Sequence, residues 1–318
     1  MMQPVLYIIL LMGQGLAILL LAPLFIGWIR QVKCWLQNRS APPLLQPYYE
    51  WQKLLCKQPL LAENASWLFR LAPYVYVTCL IVTCFALPFF GALSLASSRI
   101  DVIVFAGLLS LGRIFLVLAA MDVGTAFGSL GARREMFVAC LAEPVLLVIF
   151  LNVALLTHTT HLSAMSAYFI GHPNLYPGVI FALLAFLLVL LAETGRVPVD
   201  NPATHLELTM LHEAMILEYS GRYLALIEWG NALKLILYLL LWITLFFPYG
   251  LSTEWHLFPI LIGGITTVIK LFLLAALIGF IESINAKMRL FRIPEYLAIA
   301  FTLAILGILM TQLLEVSV

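Results

Sequence analysis

The stretch PGVIFALLAFLLVLLAETGRVPVDNP, residues 177–202, decides the fold. From 177 to 192 no residue is charged or polar, and then Glu193, Arg196 and Asp200 follow within eight residues. An uncharged run of this kind is typical of a helix buried in a bilayer, and the prolines that bracket Asp200 turn the chain into a loop. The order therefore predicts a membrane helix that ends on a glutamate and opens into a charged loop.

The composition supports a membrane protein throughout. The chain has 318 residues, of which 63% are hydrophobic and only 10% are charged, whereas a soluble domain carries about a quarter charged residues. The apolar residues come in long blocks. The net charge of +1 argues against a nucleic acid partner, because binding to phosphates needs a basic face.

About 20 consecutive apolar residues are needed to cross the hydrocarbon core of a bilayer. Eight segments meet this requirement approximately, and the fifth is the shortest. They are 5–26, 71–96, 101–122, 136–157, 176–193, 223–247, 259–281 and 295–314. The sequence therefore predicts an all-α polytopic membrane protein with eight transmembrane helices, which form a single membrane domain over residues 1–318.

Lysine and arginine are distributed unevenly between the two sides of these segments. With the N-terminus outside, thirteen of the 17 basic residues fall on the inner side, three lie inside segments, and only Arg99 is outside. Loops rich in Lys and Arg stay in the cytoplasm, so both termini are predicted to lie outside. The predicted outer loop, 158–175, contains His158, His161 and His172. We interpret it as a solvated loop, with a metal or proton role as the alternative.

A shorter segment between the first two predicted spans is amphipathic. In residues 43–57 the apolar and aromatic side chains recur at spacings of three and four, with Glu50, Lys53 and Lys57 on the other face. This segment is too short to span a bilayer. It therefore predicts an interfacial helix on the cytoplasmic side.

Charged residues inside the predicted spans are few and lie at similar depth. They are the bases Arg113, Lys234 and Lys270 and the acids Asp122, Glu143 and Glu228. A charge at mid-bilayer costs about 3 kcal/mol and usually faces a bundle interior or water. These residues either pair to lock the helices together or form a proton relay. Lysine suits a relay better than arginine, because only lysine readily releases its proton.

The predicted cytoplasmic loop 194–222 and its flanks concentrate the acids of the chain. The acids between 193 and 228 are Glu193, Asp200, Glu207, Glu213, Glu218 and Glu228, against only Arg196 and Arg222. The string HEAMI (212–216) lacks the second histidine that a zinc protease requires, and no nucleophile elbow, phosphate-binding loop or dinucleotide motif occurs. The loop is therefore expected to feed protons into the bundle or to dock a cytoplasmic partner.

The five cysteines, Cys34, Cys56, Cys79, Cys84 and Cys140, have no clustered spacing. Zinc and iron–sulfur sites need three or four ligands close together. The chain is therefore expected to bind no metal or cofactor of its own, so that any electrons would be carried by partner subunits.

Three motifs resemble subunit 1 of respiratory complex I. AETGRVPVDNP (192–202), followed by EYSG (218–221), is similar to that family's A-E-T-x-R-x-P-F-D-x-P and E-Y-S-G. LLQPYYEWQKLL (44–55) is similar to L-L-Q-P-x-A-D-x-x-K-L, and LFRLAP (68–73) follows where the family has it. The predicted spans and interfacial helix agree as well, so the resemblance covers nearly the whole chain.

Departures from the complex I pattern indicate a particular branch. The segment NRSAPPLLQP (38–47) is shortened, Val199 stands where the family has Phe, and residues 203–205 replace the family's E-G-E. GARREM (131–136), with EP at 143–144, resembles instead the membrane anchor of group 4 NiFe hydrogenases of the formate hydrogenlyase and hydrogenase-4 type. This resemblance implies a bacterial or archaeal cytoplasmic membrane, with the NiFe centre and the Fe–S clusters in partner subunits.

The buried charges and the resemblance together give a candidate site. Proton coupling is assigned to Glu143, Glu193, Glu207, Glu213, Glu218, Glu228, Lys234 and Lys270. The junction with a peripheral arm is assigned to Glu50, Lys53, Arg196 and Asp200, with Glu50 and Lys53 at the mouth of a quinone-like cavity. The implied partners are a hydrogenase-type large subunit and an Fe–S small subunit on the cytoplasmic side, and antiporter-like subunits in the membrane.

Three functions remain open at this point. The first is a non-catalytic, proton-coupling anchor of a hydrogenase-4-like complex. The second is the quinone-site-forming subunit 1 of an NADH:quinone oxidoreductase, which the shortened 38–47 segment and Val199 disfavour. The third is an independent ion transporter, which the large cytoplasmic loops disfavour.

Overall fold

The computed structural model describes residues 2–89, 101–172, 176–200, 212–251 and 257–315, and within them the backbone is helical almost throughout. The helices are α1 (Met2–Leu36), α2 (Gln46–Leu55), α3 (Trp67–Ala86), α4 (Val102–Asp122), α5 (Ala126–Thr157), α6 (Leu162–Gly171), α7 (Pro177–Glu193), α8 (His212–Ile216), α9 (Gly221–Phe246), α10 (Leu257–Ile284) and α11 (Ile293–Glu315). A short 3-10 turn, Leu290–Arg292, precedes α11. The prediction of an all-α polytopic protein is confirmed.

Seven helices in these ranges have the length and apolar composition to cross a membrane. They are Leu11–Leu36, Trp67–Ala86, Val102–Asp122, Ala126–Thr157, Gly221–Phe246, Phe258–Ile284 and Leu290–Leu313. The remaining predicted span, 176–193, corresponds to α7, which is apolar but has only 17 residues. It is shorter than the about 20 residues of a typical transmembrane helix, so the count of eight is approximate.

Three helix boundaries differ from the predicted ones. α3 ends at Ala86 instead of 96, since Leu87 is extended (φ −85°, ψ 134°) and a residue before a proline disfavours the helical region. α5 begins at Ala126 rather than 136. α1 runs on to Leu36 instead of ending at 26. As a result of the last two changes, two charged segments lie on the ends of long helices, although composition alone would assign them to loops.

Helix α9 lies at the centre of the bundle. It packs against α1, α2, α3, α6, α7 and α10. Every residue from 232 to 241 is buried, and this stretch includes Lys234. The helix therefore brings a basic side chain into the apolar interior, where a charge is stable only beside an opposite charge or a hydrogen-bond partner.

One end of the bundle, here called the loop face, collects the charged connections. The α3 and α4 ends meet there, because the Ser66 N–H donates to Asp122 Oδ2 at 2.8 Å. The segment after α7 meets the segment after α10, because the Met288 N–H donates to the Pro198 carbonyl at 2.8 Å. The short amphipathic helix α2 also lies at this end, against α1 and α9.

Three prolines, Pro23, Pro73 and Pro144, lie inside helices, and each leaves a backbone carbonyl without its usual intrahelical donor. Pro73 deprives the Phe69 carbonyl, which instead accepts from the Tyr219 hydroxyl at 3.0 Å. Pro23 deprives the Leu19 carbonyl, which accepts from the Trp229 indole N–H at 3.3 Å. Within a membrane such carbonyls must be satisfied by protein groups. The segment around the start of α9 therefore fits onto both α1 and α3.

Replacing Tyr219 with Phe is expected to lower the free energy of unfolding by about 1 kcal/mol, since the buried Phe69 carbonyl loses its donor. Burial, and secondarily the Asp122 carboxylate, raises the pKa of Tyr219, so its hydroxyl stays a donor. In a Pro73→Ala background, where the substituted alanine supplies a backbone N–H to the same carbonyl, the cost of Tyr219→Phe should shrink.

The measurement is thermal or denaturant unfolding of the four proteins of this double-mutant cycle in detergent. Tyr49→Phe is a matched control, because Tyr49 is 59% exposed. An equal cost of Tyr219→Phe in both backgrounds would contradict the assignment of Tyr219 to the carbonyl that Pro73 leaves without a donor.

Candidate functional site

The carboxylate of Glu193 is the centre of a buried ion cluster. Glu193 is the last residue of α7 and is 6% exposed. Arg113 of α4 donates to its Oε2 atom, and Lys234 Nζ of α9 lies 3.2 Å from the same oxygen. One carboxylate therefore ties α4, α7 and α9 together.

The helix ends at this carboxylate for a local reason. Gly195 has φ +60°, a left-handed conformation that glycine adopts without strain and that commonly terminates helices. The Arg196 N–H then closes back on the Leu191 carbonyl at 2.9 Å. The chain turns sharply, so that Glu193 stays inside the bundle while the residues after it run along the loop face.

Arg113 is shared by three carboxylates. Besides Glu193, its Nη1 lies 3.4 Å from Glu143 Oε1 and its Nε lies 4.0 Å from Glu135 Oε1, both on α5. Arg113 is 5% exposed, and a guanidinium has five N–H donors that can serve several oxygens at once. With Lys234 the cluster holds three acids and two bases, so full ionisation leaves one negative charge that a single proton would neutralise.

A second buried network fixes the segment after α7. Glu282, near the end of α10, accepts from Arg196 at 3.1 Å and is 2.8 Å from Lys33 of α1. Asp200 pairs with Lys287 at 2.9 Å. Glu282 and Asp200 are almost fully buried. These ion pairs hold residues 194–200 between α1 and α10.

A cavity of about 470 Å³ on the loop face connects the two networks. Its described lining has six acids and four bases: Glu50, Glu135, Glu193, Asp200, Glu213, Glu228, Arg30, Lys33, Arg196 and Lys234. The indole rings of Trp51 and Trp229, also in the lining, lie 5.5 Å apart. Pockets for apolar ligands have mostly hydrophobic walls. This cavity combines apolar walls with ten charged side chains, so it can hold water and ions beside an apolar surface.

The NADH dehydrogenase family matches residues 8–312. The chain belongs to this family. Hydrogenase-4 component C of Escherichia coli K12 is 32% identical over 300 residues, 94% of each chain. Formate hydrogenlyase subunit 4 of the same organism is 29% identical over 296 residues, 92% of this chain and 95% of that protein.

More distant members of the NADH dehydrogenase family also match. NADH-ubiquinone oxidoreductase chain 1 of Triticum aestivum is 29% identical over 244 residues, 73% of this chain and 71% of that protein. Among solved structures, a chain of the membrane-bound sulfane sulfur reductase, an archaeal respiratory membrane complex, has a TM-score of 0.78 at 20% identity. That alignment covers 94% of this chain and 99% of the other. It shows a shared fold. The predicted resemblance to subunit 1 of complex I and to hydrogenase-type anchors is confirmed.

In this member of the NADH dehydrogenase family, the structure brings most of the candidate residues together. Those that line the cavity are Glu50, Glu193, Arg196, Asp200, Glu213, Glu228 and Lys234. Glu143 joins through Arg113. Lys53 is exposed on α2 and is not among the described lining residues. Glu207 lies outside the described residues.

Glu218 belongs to the EYSG motif, whose other three residues hold the chain in place. Tyr219 stacks on Phe69 with ring centroids 3.9 Å apart. Ser220 Oγ accepts from the Leu60 N–H at 2.7 Å. Gly221 has φ +55°, and a Cβ there would lie 2.8 Å from the Lys57 carbonyl oxygen. Glu218 is half-buried and does not line the cavity, so the motif is largely structural.

Lys270 lies apart from the cluster around Glu193. Its ammonium donates to the Phe247 carbonyl at 2.8 Å and to the Tyr249 carbonyl. Phe247 lies thirteen residues after Lys234, about 20 Å along a helix axis. A lysine at this position caps the carbonyl end of α9 and interacts favourably with its dipole.

The structure adds charged residues that the candidate set lacked. They are Arg113, Glu135, Glu282, Lys33, Lys287 and Arg30. Arg113 was recognised as a buried charge but was not assigned to coupling, because arginine holds its proton. Glu135 and Glu282 fell at the ends of apolar segments, where composition alone assigns charges to a solvated loop. A signal was present in GARREM, which places Glu135 eight residues before Glu143 on one continuous helix.

The Glu193→Gln substitution is expected to lower the free energy of unfolding by about 3 kcal/mol, because it leaves Arg113 and Lys234 without their shared counter-charge. Adding Lys234→Met removes one of the two cations and should recover part of the loss. The check is equilibrium or thermal unfolding of the purified variants in detergent.

Glu50→Gln is the control for this prediction. It breaks the Arg30–Glu50 pair, whose side chains are 46% and 42% exposed, and exposed ion pairs contribute at most about 1 kcal/mol. Equal destabilisation by Glu193→Gln and Glu50→Gln would show that the buried cluster carries no special stability.

Proposed function

We propose that this chain is the membrane anchor and proton-coupling subunit of a complex of the hydrogenase-4 or formate hydrogenlyase type. Supporting this proposal, the two Escherichia coli relatives named for those complexes align over almost the whole of both chains. The complex I relative from Triticum aestivum aligns over less of both chains. The chain would thus link electron transfer in a peripheral arm to ion movement in the membrane.

The observation that carries the proposal is the position of Glu193. Its carboxylate lies between two cations in the bundle interior and also lines the charged cavity. A group in a low-dielectric setting responds strongly to a change in nearby charge. A redox change at the loop face would alter the proton affinity of Glu193, and Arg113 would pass the electrostatic change to Glu143, 3.4 Å away.

The partner subunits would dock on the loop face. Arg196 and Asp200 are fixed there by Glu282 and Lys287, and Glu50 lies on the cavity wall. Arg196 and Asp200, which are both buried, would shape the junction from within, and Glu50 would face a hydrogenase-type large subunit and its Fe–S small subunit. Exposed Lys53 would contact the same partners at the surface. In this arrangement the loop face is cytoplasmic and both termini lie outside the bacterial or archaeal inner membrane.

The redox centres would reside in those partners. Among the described residues there is no group of three or more His, Cys, Asp or Glu side chains arranged to hold a metal ion. Buried Cys79 and Cys84 and exposed Cys56 and Cys140 are free thiols. The residues of this chain would position the partner, exclude bulk water from the Glu193 cluster and move protons. Antiporter-like membrane subunits would receive the charge displacement.

The alternative function is quinone reduction. The observation that favours it is the pair of indole rings of Trp51 and Trp229, because flat rings can pack beside a quinone ring. Glu50 and Glu228 line the same cavity, so the headgroup would lie among carboxylates. Labelling near residues 48–53 by a photoreactive quinone analogue, competed by quinone, would support this alternative.

Glu193→Gln and Lys234→Ala are each expected to abolish proton uptake coupled to turnover, while electron transfer to the terminal acceptor continues. The reason is that each variant removes a titratable member of the buried cluster without touching a redox centre. The measurement is proton movement and product formation in the same inverted membrane vesicles. Glu63→Gln, at an exposed site between α2 and α3, is the control. Wild-type proton uptake in both variants would contradict the coupling role.

A tag on this chain should also co-purify an intact complex. The proposal predicts a NiFe-type large subunit by mass spectrometry, bound nickel, and hydrogen formation or oxidation. A nickel-free complex that reduces quinone would instead place the protein in the complex I branch.

A further inference from the structure

A second group of hydrogen-bonded side chains lies beside the Glu193 cluster and involves none of its ion pairs. The Tyr76 hydroxyl of α3 donates to Asn231 Oδ1 of α9 at 2.9 Å. His212 Nε2, at the start of α8, lies 3.0 Å from the same oxygen. Tyr76, Asn231 and His212 thus connect α3, α9 and the start of α8.

Two glycines leave room for the Tyr76 ring in the helix bundle. A Cβ added at Gly230 would lie 2.4 Å from Tyr76 Cε1, and one at Gly112 would lie 3.1 Å from Tyr76 Cδ2. The Tyr76 ring therefore fits between two glycines, one next to Asn231 and one next to Arg113. Its hydroxyl is held where it meets the Asn231 amide.

The hydrogen bonds fix the state of the imidazole. Asn231 Oδ1 accepts from Tyr76, so the second bond to this oxygen requires a hydrogen on His212 Nε2. In the neutral ring Nδ1 is then the unprotonated nitrogen. Both nitrogens carry hydrogens in the imidazolium, so His212 can gain or lose a proton at Nδ1 without breaking its bond to Asn231.

His212 lies between the cavity and helix α9. It is the one histidine among the described lining residues of the cavity. Asn231 precedes Lys234 by three residues on α9, a spacing that places both on the same helix face. His212 is therefore anchored to the face of α9 that carries Lys234.

The charged groups around His212 come from every neighbouring element. Its own backbone N–H donates to Asp200 Oδ2 at 3.4 Å. The other charged groups of the cavity that His212 lines are Glu213 on α8, Glu228 and Lys234 on α9, Glu135 on α5, Glu50 on α2, Arg30 and Lys33 on α1, and Glu193 and Arg196 around the α7 terminus.

We propose that His212 exchanges protons between the cavity and the Glu193–Lys234 pair near neutral pH, with Asn231 and Tyr76 as its positioning residues. This inference rests on the proposed function. The step is a transfer of one proton from cavity water to Nδ1 and its later transfer, through cavity water, to the Glu193 carboxylate, which lines the same cavity. The ring then returns to its starting charge, and only N–H and O–H bonds are made and broken. Histidine ordinarily titrates at about pH 5–8, where carboxylates and lysines do not.

The test uses the intact complex in vesicles, with protons moved per turnover measured at several values between about pH 5 and 8. The wild type should show a pH-dependent ratio. His212→Gln keeps an N–H that can reach Asn231 but does not titrate, so its ratio should be independent of pH. Asn231→Leu keeps the imidazole but loses its anchor, so the pH dependence should weaken. His172→Gln, at an exposed site, should match the wild type.

A pH profile of His212→Gln identical to that of the wild type would overturn this inference. Glu193→Gln, measured alongside, separates it from the proposed function. If Glu193→Gln loses coupling while His212→Gln keeps the wild-type profile, only the role of His212 is wrong. If neither variant changes the ratio, the proposed function is wrong as well.

Discussion

The structure depends on how one carboxylate is kept ionised in an apolar bundle. Glu193 ends the most hydrophobic helix and cannot lie there alone, because an isolated charge in a medium of low dielectric constant is highly unfavourable. Arg113 and Lys234 both reach the same oxygen. Their helices must therefore meet α7 at one depth. That requirement sets the register of α4 and α9 and explains why the central helix carries a lysine.

Other features follow from the need to satisfy polar groups where water is scarce. The carbonyls that Pro23 and Pro73 leave without donors are taken by Trp229 and Tyr219, which lie on either side of the α9 start. The clamp of Glu282 on Arg196 and Lys33 does the same for the segment after α7. The described residues of the loop face are thus held by hydrogen bonds and ion pairs around the cavity, as the proposed coupling to the buried cluster requires.

Sequence reasoning reached the fold class, the family and most members of the site. Glu193 and Lys234 could be found because each is a charge inside or at the end of a long apolar run. Sequence spacing alone did not reveal their common oxygen, which depends on which helices are neighbours. The same limit applies to Lys270. Its position within a predicted span is similar to that of Lys234, but its ammonium caps the end of α9 instead of joining the cluster. Glu135 and Glu282 were missed because helices α5 and α10 continue beyond their apolar segments.

In the proposed function, redox turnover changes the protonation or hydrogen bonding of Glu193. Redox-difference infrared spectroscopy of the intact complex observes carboxyl groups directly. A carboxyl band that changes with the redox state is expected in the wild type and should be absent from the difference spectrum of Glu193→Gln. Identical difference spectra for the two proteins in the carboxyl region would contradict the proposed function.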